Sequence, residues 1–600
     1  LVILKSKNSS NYRLSFILSS LEWKNDKSVK KVFSEPKRLS YLLGEGIKQY
    51  TPKQQLINKG KIKDFEDLKS RFDIEIVTNE FFDKYNILYQ KLFKFFSADN
   101  DFKDFTKKKS LDLDVLTKKL LGQIVFCYFL QKKKWLGANK SSKLDSGDIN
   151  FLRSTFIKCE KEKKNFYNDY LEFIFYEGLN KENSNDYVAE IDCKIPFLNG
   201  GLFEPLEDYE WKKEFLTIPN DIFSNKQNNG ILDIFDLYNF TVDEHSDYEK
   251  EIAIDPEMLG KVFEKLLPEN IRKNTGSYYT PRPIVDYLCK KGLIEYLYNN
   301  FKSKINFDKL ADFIFNLNKI NSNEDLDSKI EIEIKNDAKE LIKVIDNLKI
   351  CDPAVGSGAF LVSMLDIVTK VKYYLLLFLE NKEPDTYQIK KKFIENSLYG
   401  VDIDPGAIEI AKLRLWLSLV VDETNYLNIG GLPNLDFKLV QGNSLHNNIE
   451  NVSLELDVTI NRQLELGEEV DEKSEKLIKN LKNTEKKYFN SNNPIEKKSI
   501  KDQLMQTIYD LVLITINKKK DFNPNLNFDL KNLKNQIYGL KVKNFFPWQI
   551  YFIDVFHNNK GFDLIIGNPP WKSLLGKHNK TNESKDILKK LSDEYLVNSY

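Results

Sequence analysis

The chain has 600 residues, roughly four domains' worth, so it can bury a core without disulfide or metal staples. Its 90 Lys and Arg against 89 Asp and Glu leave a formal charge of +1, which excludes a polycation; any nucleic-acid binding must use a local basic surface. A hydrophobic fraction of 41% with 30% charged residues excludes bulk disorder.

Cys127, Cys159, Cys193, Cys289 and Cys351 are scattered with no C-x-x-C pair. This argues against a disulfide framework or a cysteine zinc site and fits a reducing cytoplasm. His245, His446, His557 and His578 stand alone, so no metal is expected. No apolar run approaches the length of a membrane-spanning helix.

Residues 1–245 read as mixed, mainly helical after about residue 60. Tyr12 to Leu18 alternates like a strand, Ile124 to Leu130 suits a buried helix, and Phe197 to Phe203 is a turn between apolar anchors. In 246–449 short apolar runs alternate with helical patterns, the rhythm of βαβ units and a parallel sheet. Residues 450–545 are rich in Lys, Asn and Glu; Leu477, Leu481 and Tyr488 keep helical spacing, which predicts a helical insertion with a solvated face. In 546–600 the pattern turns strand-like, ending in Phe562 to Gly567.

Five short motifs carry chemistry. In Ile350-Cys351-Asp352-Pro353-Ala354-Val355-Gly356-Ser357-Gly358-Ala359-Phe360 an apolar strand ends in an acid. A glycine loop follows, then a helix with Phe360, Met364, Ile367, Val371 and Leu375 on one face. Glycines allow close backbone approach to a ligand, although the third glycine of the dinucleotide fingerprint is missing; a structural turn is the alternative. A second strand ends at Asp402, where nucleoside-binding sheets grasp ribose hydroxyls. Asp402 could equally start a helix, a role that Asp404 before Pro405 suits better. Asn443 in Gly442-Asn443-Ser444 could bond an adenine ring or make a turn. Asn568-Pro569-Pro570-Trp571 offers an amide, free carbonyls and a flat aromatic in one stiff loop, a receptor for a planar amine. Finally, Tyr279-Thr280-Pro281 predicts a helix with Thr280 as N-cap and Ile284, Val285 and Leu288 facing inward.

In this order the five motifs resemble gamma-class N6-adenine DNA methyltransferases, and more narrowly the methylase part of type IIG restriction–modification enzymes. Phe129 to Leu136 and Ile195 to Phe203 also resemble that subfamily. The resemblance implies an α/β fold: a class I methyltransferase dependent on S-adenosylmethionine (SAM), with a Rossmann-like parallel sheet after a mainly helical N-terminal region. It implies SAM as cofactor and double-stranded DNA as partner. Tyr279 and Thr280 would hold the methionine end of SAM; Asp352, Pro353, Ala354, Gly356 and Gly358 would shape the loop beneath it; Asp402 would grip the ribose, and Asn443 would sit by the adenine. Asn568 and Pro569 would accept the amine hydrogens of a flipped adenine, with Pro570 stiffening the loop and Trp571 stacking on the base.

Methylation of RNA or of a protein glutamine, and a non-catalytic DNA-binding scaffold, are the alternatives. The runs Lys107–Lys109, Lys132–Lys134 and Lys518–Lys520 are expected to be solvated surface. Glu160-Lys161-Glu162-Lys163 lacks the preceding strand of a magnesium nuclease. The start at Leu1 and the stop soon after Trp571 lead us to expect a fragment with an incomplete sheet, any nuclease lying upstream.

Overall fold

A computed structural model describes residues 1–5, 11–19, 21–26, 28–33, 36–109, 111–198, 201–206, 209–241, 249–265, 280–301, 304–317, 330–423, 432–449, 452–454, 472–491, 494–522, 533–534, 537–538, 545–559 and 561–569. The chain opens with β1 (Val2–Lys5), β2 (Tyr12–Leu18), β3 (Leu21–Asp26), β4 (Ser28–Phe33) and β5 (Lys37–Leu43). β6 (Tyr187–Val188) and β7 (Cys193–Lys194) form a small hairpin, and β8 (Glu249–Glu251) returns to the first sheet, whose order is β1-β2-β5-β8. Tyr12 to Leu18 is the strand that its alternation predicts.

Asp73 and Asp112 cap the helices Ile74–Ala98 and Leu113–Lys132, accepting from the amides of Glu75 and Asp114. The second helix is buried almost all round from Val115 to Gln131. It packs on Ile74–Ala98 and on Pro405–Asp422, so the N-terminal helices and the later α/β part share one core.

The second sheet comprises β9 (Ile350–Asp352), β10 (Leu398–Asp402) and β11 (Leu439–Gln441). After the two-stranded β12 (Asn448–Ile449) and β13 (Val452–Ser453), it is completed by β14 (Leu564–Ile565). The order is β11-β10-β9-β14 and every pairing is parallel. This is the α/β, Rossmann-like arrangement expected from the βαβ rhythm.

Period-2 alternation sorts the side chains onto two faces. Ile350, Leu398 and Leu439 join the core containing helices Arg282–Phe301, Ala359–Glu380 and Pro405–Asp422. Cys351, Tyr399, Val401 and Val440 join a second core containing Ile478, Leu481, Tyr488, Leu504, Ile508 and Leu511. The Lys/Asn-rich insertion is thus a helical hairpin, Glu472–Asn490 and Pro494–Phe522, whose apolar face covers the second face of the sheet. A parallel sheet needs that cover, because both its faces are apolar.

Two local expectations are corrected. The segment after residue 545 begins with short helices, Trp548–Tyr551 and Ile553–Asn559, and among the described residues only Leu564–Ile565 is strand. The helix expected from Thr280 starts at Arg282, with the Pro281 carbonyl accepting from Ile284 and Val285. Val285 is buried, but Ile284 and Leu288 are exposed.

Candidate active site at the switch point of the parallel sheet

From β9 the chain builds outward through β10 to β11, then places β14 on the other side of β9. The crevice beyond the carboxyl ends of β9 and β14 is therefore the topological switch point, where open α/β sheets bind ligands.

Asp352 ends β9 and is fully buried. Its Oδ1 accepts from the amide of Ala354 at 3.0 Å, and its Oδ2 has no partner among the described residues. Burial, with Asp402 adding repulsion against the help of the Ala354 amide, pushes its carboxyl up to about 8. After Pro353 and Ala354 the loop turns through Gly356 (φ 50°) and Gly358 (φ 79°), a left-handed region that favours glycine. A Cβ on Gly358 would also press on Ala411 Cβ at 3.2 Å.

Asp402 is half-buried at the end of β10. Its Oδ2 accepts from the Gly356 amide at 2.8 Å and its Oδ1 from the Asp404 amide at 2.9 Å, so it ties the glycine loop to the second strand's end. Asp404 takes the helix-start role, accepting from Gly406 at 2.8 Å with Pro405 next. Asn443 Oδ1 accepts from the Leu445 amide at 3.1 Å, a contact within its own turn.

Helix Arg282–Phe301 lies along β14; a Cβ on Gly292 would meet Leu564 at 3.2 Å. That packing sets Thr280, just before the helix, beside Asn568, just after the strand. The Asn568 amide nitrogen donates to Thr280 Oγ1 at 3.0 Å across 288 positions of sequence. The Thr280 hydroxyl therefore serves the N-P-P-W loop in place of capping its own helix. Gly567 completes the junction, since a Cβ there would lie 2.4 Å from Asp352 Oδ1. Pro569 is exposed. Tyr279, Pro570 and Trp571 lie outside the described residues.

Sequence reasoning missed the segment Phe545-Phe546-Pro547-Trp548. Phe546 donates its amide to the His446 carbonyl at 2.7 Å, and Trp548 Nε1 bonds the Ser444 carbonyl at 3.1 Å, so the segment backs the Asn443 turn. A dense aromatic run directly after a Lys/Asn-rich stretch was the available signal. Of the lysine runs, Lys108 and Lys109 pair with Glu214. Lys133 bonds the Glu423 carbonyl at 2.6 Å, a structural role where solvated surface was expected; the side chains of Lys518–Lys520 lie outside the described residues. Glu162 is held by Tyr170 and Lys164. Among the described residues no group of His, Cys, Asp or Glu could hold a metal, and no helix is long and apolar enough to cross a membrane.

The raised Asp352 carboxyl has a consequence for stability. The folded chain holds a proton that the unfolded chain releases between its ordinary value of 3.8 and about 8, so this group costs stability progressively as pH rises through that window. Asp352→Asn should match the wild type near the acid end and unfold at higher temperature at the alkaline end, by thermal melts without ligand. A constant difference across the window would show that Asp352 does not titrate there.

The chain is similar to several known proteins. The family described as Eco57I restriction-modification methylase matches residues 396–599. A Methanocaldococcus jannaschii protein carrying the name type II restriction enzyme and methyltransferase is 32% identical over 580 residues, covering 84% of this chain and 46% of that protein. DNA methyltransferase A of Bacillus subtilis is 23% identical over 238 residues, covering 40% of this chain and 21% of that protein. The chain thus spans less than half the length of either relative. Among solved structures, the type IIL restriction-modification enzyme MmeI in complex with DNA aligns with a TM-score of 0.37 at 16% identity, covering 61% of this chain and 40% of that one. The DrdV–DNA complex aligns at 0.24 and 11%, covering 68% and 30%. The match to the Eco57I restriction-modification methylase family runs from the second strand of the parallel sheet through the N-P-P-W loop.

Proposed function

We propose that the chain is the methylase part of a restriction–modification system, transferring a methyl group from SAM to the N6 amine of a flipped adenine in double-stranded DNA. The observation that carries this reading is the Thr280–Asn568 hydrogen bond at the switch point, which joins the first and last of the five motifs. The fit to SAM rests on the partnerless buried oxygen of Asp352 and on the positive-φ glycine loop beside it, a cradle suited to a ligand with a cationic end. Tyr279 and Thr280 would hold the methionine end; Asp352, Pro353, Ala354, Gly356 and Gly358 the loop beneath; Asp402 the ribose, and Asn443 the adenine. When bound, SAM supplies an electrophilic methyl group on a sulfonium.

The protein's own work is positioning. The adenine amine is a poor nucleophile because its lone pair is spread into the ring. Asn568 and the Pro569 carbonyl accept its two hydrogens and turn the lone pair out of the ring plane. The bond from the Asn568 nitrogen to Thr280 makes the amide oxygen the acceptor end. Trp571 stacks on the flipped base and returns about 1–3 kcal/mol of the roughly few kcal/mol that flipping costs.

Asp402→Ala should weaken SAM binding about tenfold or more in calorimetry, because it removes both the ribose acceptor and the clamp on the Gly356 amide. Unchanged affinity would take Asp402 out of the site.

A further inference from the structure

The neutral whole hides a basic cleft. A cavity of about 660 Å³ lies between β2, β5 and the helices Arg282–Phe301, Ala359–Glu380 and Pro405–Asp422. Eight lysines and arginines line it against three carboxylates. Two of those carboxylates, Asp286 and Asp366, are already matched to Lys290 and Lys370 on their own helices at 2.9 Å each.

At its wall stands Arg414, only 4% exposed. Its Nη1 donates to the carbonyl and hydroxyl of Ser357 at 3.0 and 3.1 Å; its Nε finds no acceptor, and no carboxylate faces it among the described residues. A guanidinium held out of water without a counter-charge is costly to the fold by itself. Apart from Ser363 and Ser418 the rest of the lining is apolar, including Leu39, Val285, Val362 and Leu365. Volume, charge and lining together match an organic anion seated at a junction of elements, where small ligands commonly bind.

We propose that this cleft binds a phosphorylated ligand of nucleotide size, its phosphates met by Lys37, Lys370 and Arg414 and its organic body by the apolar wall. Phosphate suits the planar, multiply donating guanidinium. A DNA duplex also carries phosphates but is too wide to enter. Because Arg414 also holds Ser357, the ligand would bear on the loop assigned above to SAM, and the two would alter each other's affinity equally. That coupling rests on the SAM reading; the site itself does not.

The test is calorimetry in the absence of SAM, at physiological ionic strength, with inorganic triphosphate and GTP as probes. GTP is chosen so that no adenosine competes for the proposed cofactor site. One saturable site is expected, tighter for GTP than for triphosphate. Lys37→Ala with Lys370→Ala should weaken both about tenfold, whereas Lys107→Ala with Lys108→Ala should change neither. No saturable binding, or equal loss in both double variants, would overturn the site. A short duplex that displaces the triphosphate would overturn its assignment to a small ligand.

Discussion

Asn568→Ala is expected to lower methyl transfer by at least about a hundredfold while leaving SAM binding nearly intact. The effect is large because the proposed chemistry has no strong base and no metal: catalysis is the aiming of one lone pair, and a lost contact that aims a reacting group costs two or more orders of magnitude. SAM affinity should hold because Asp352, Asp402 and the glycine loop keep their own bonds without Asn568. Sequencing DNA from expressing cells for N6-methyladenine reads the transfer, and calorimetry reads the cofactor. Methylation that persists in the variant would remove Asn568 from the reaction. Loss of both readouts together would show that the Thr280–Asn568 bond builds the cofactor site as well.

Asp436→Ala is expected to release the helical insertion from the sheet. Asp436 precedes β11 and takes Lys412 at 2.9 Å, Lys501 at 3.2 Å and the Tyr488 hydroxyl at 2.6 Å. Nearby, Lys497 pairs with Glu204 of the N-terminal region at 2.7 Å. Burial pushes the Asp436 carboxyl up, but Lys412, Lys501 and Lys497 together outweigh burial and hold it well below the usual carboxylate range.

Removing one member of a buried ionic network costs about 3–5 kcal/mol. Here Lys412 keeps Glu409 at 3.0 Å and Lys501 is 44% exposed, so about 2–3 kcal/mol is the better figure. Hydrogen exchange in Glu472–Asn490 and Pro494–Phe522 should then quicken by one to two orders of magnitude, while β9 and β10 stay protected. Since the folded carboxyl is depressed, its contribution is present above the ordinary carboxylate value of about 4 and fades as pH falls well below it, where variant and wild type should converge. Unchanged exchange in the two helices would mean that their apolar face alone holds them.

Much of the α/β part could be read from the chain because its signals are local. A helix with Phe360, Met364, Ile367, Val371 and Leu375 on one face buries all five, and Ile408, Ala411, Leu415 and Leu419 do the same. Both patterns follow from the 3.6-residue period alone. Asp404 capping its helix and the glycine loop after Asp352 are equally local, since each concerns backbone groups within a few residues.

The N-terminal region, with fewer turn motifs, yielded one strand, one buried helix and one turn. Its first sheet closes only when β8 pairs with β5, two hundred residues on, and that distance hides it from pattern reading.

Only the tertiary structure decided what the ambiguous side chains do. Thr280 carries a good capping signal, yet its hydroxyl serves Asn568, because β14 docks beside β9 and brings the two loops together. The apolar stripe of the insertion named a helix but not its partner; the exposed second face of a parallel sheet supplied it. Asp436 and Arg414 look like ordinary charges in sequence, and their weight comes from burial and from which opposite charges reach them. Period and turn chemistry act over a few residues, whereas strand order, burial and charge pairing are set by contacts across hundreds, and the candidate site is made of the second kind.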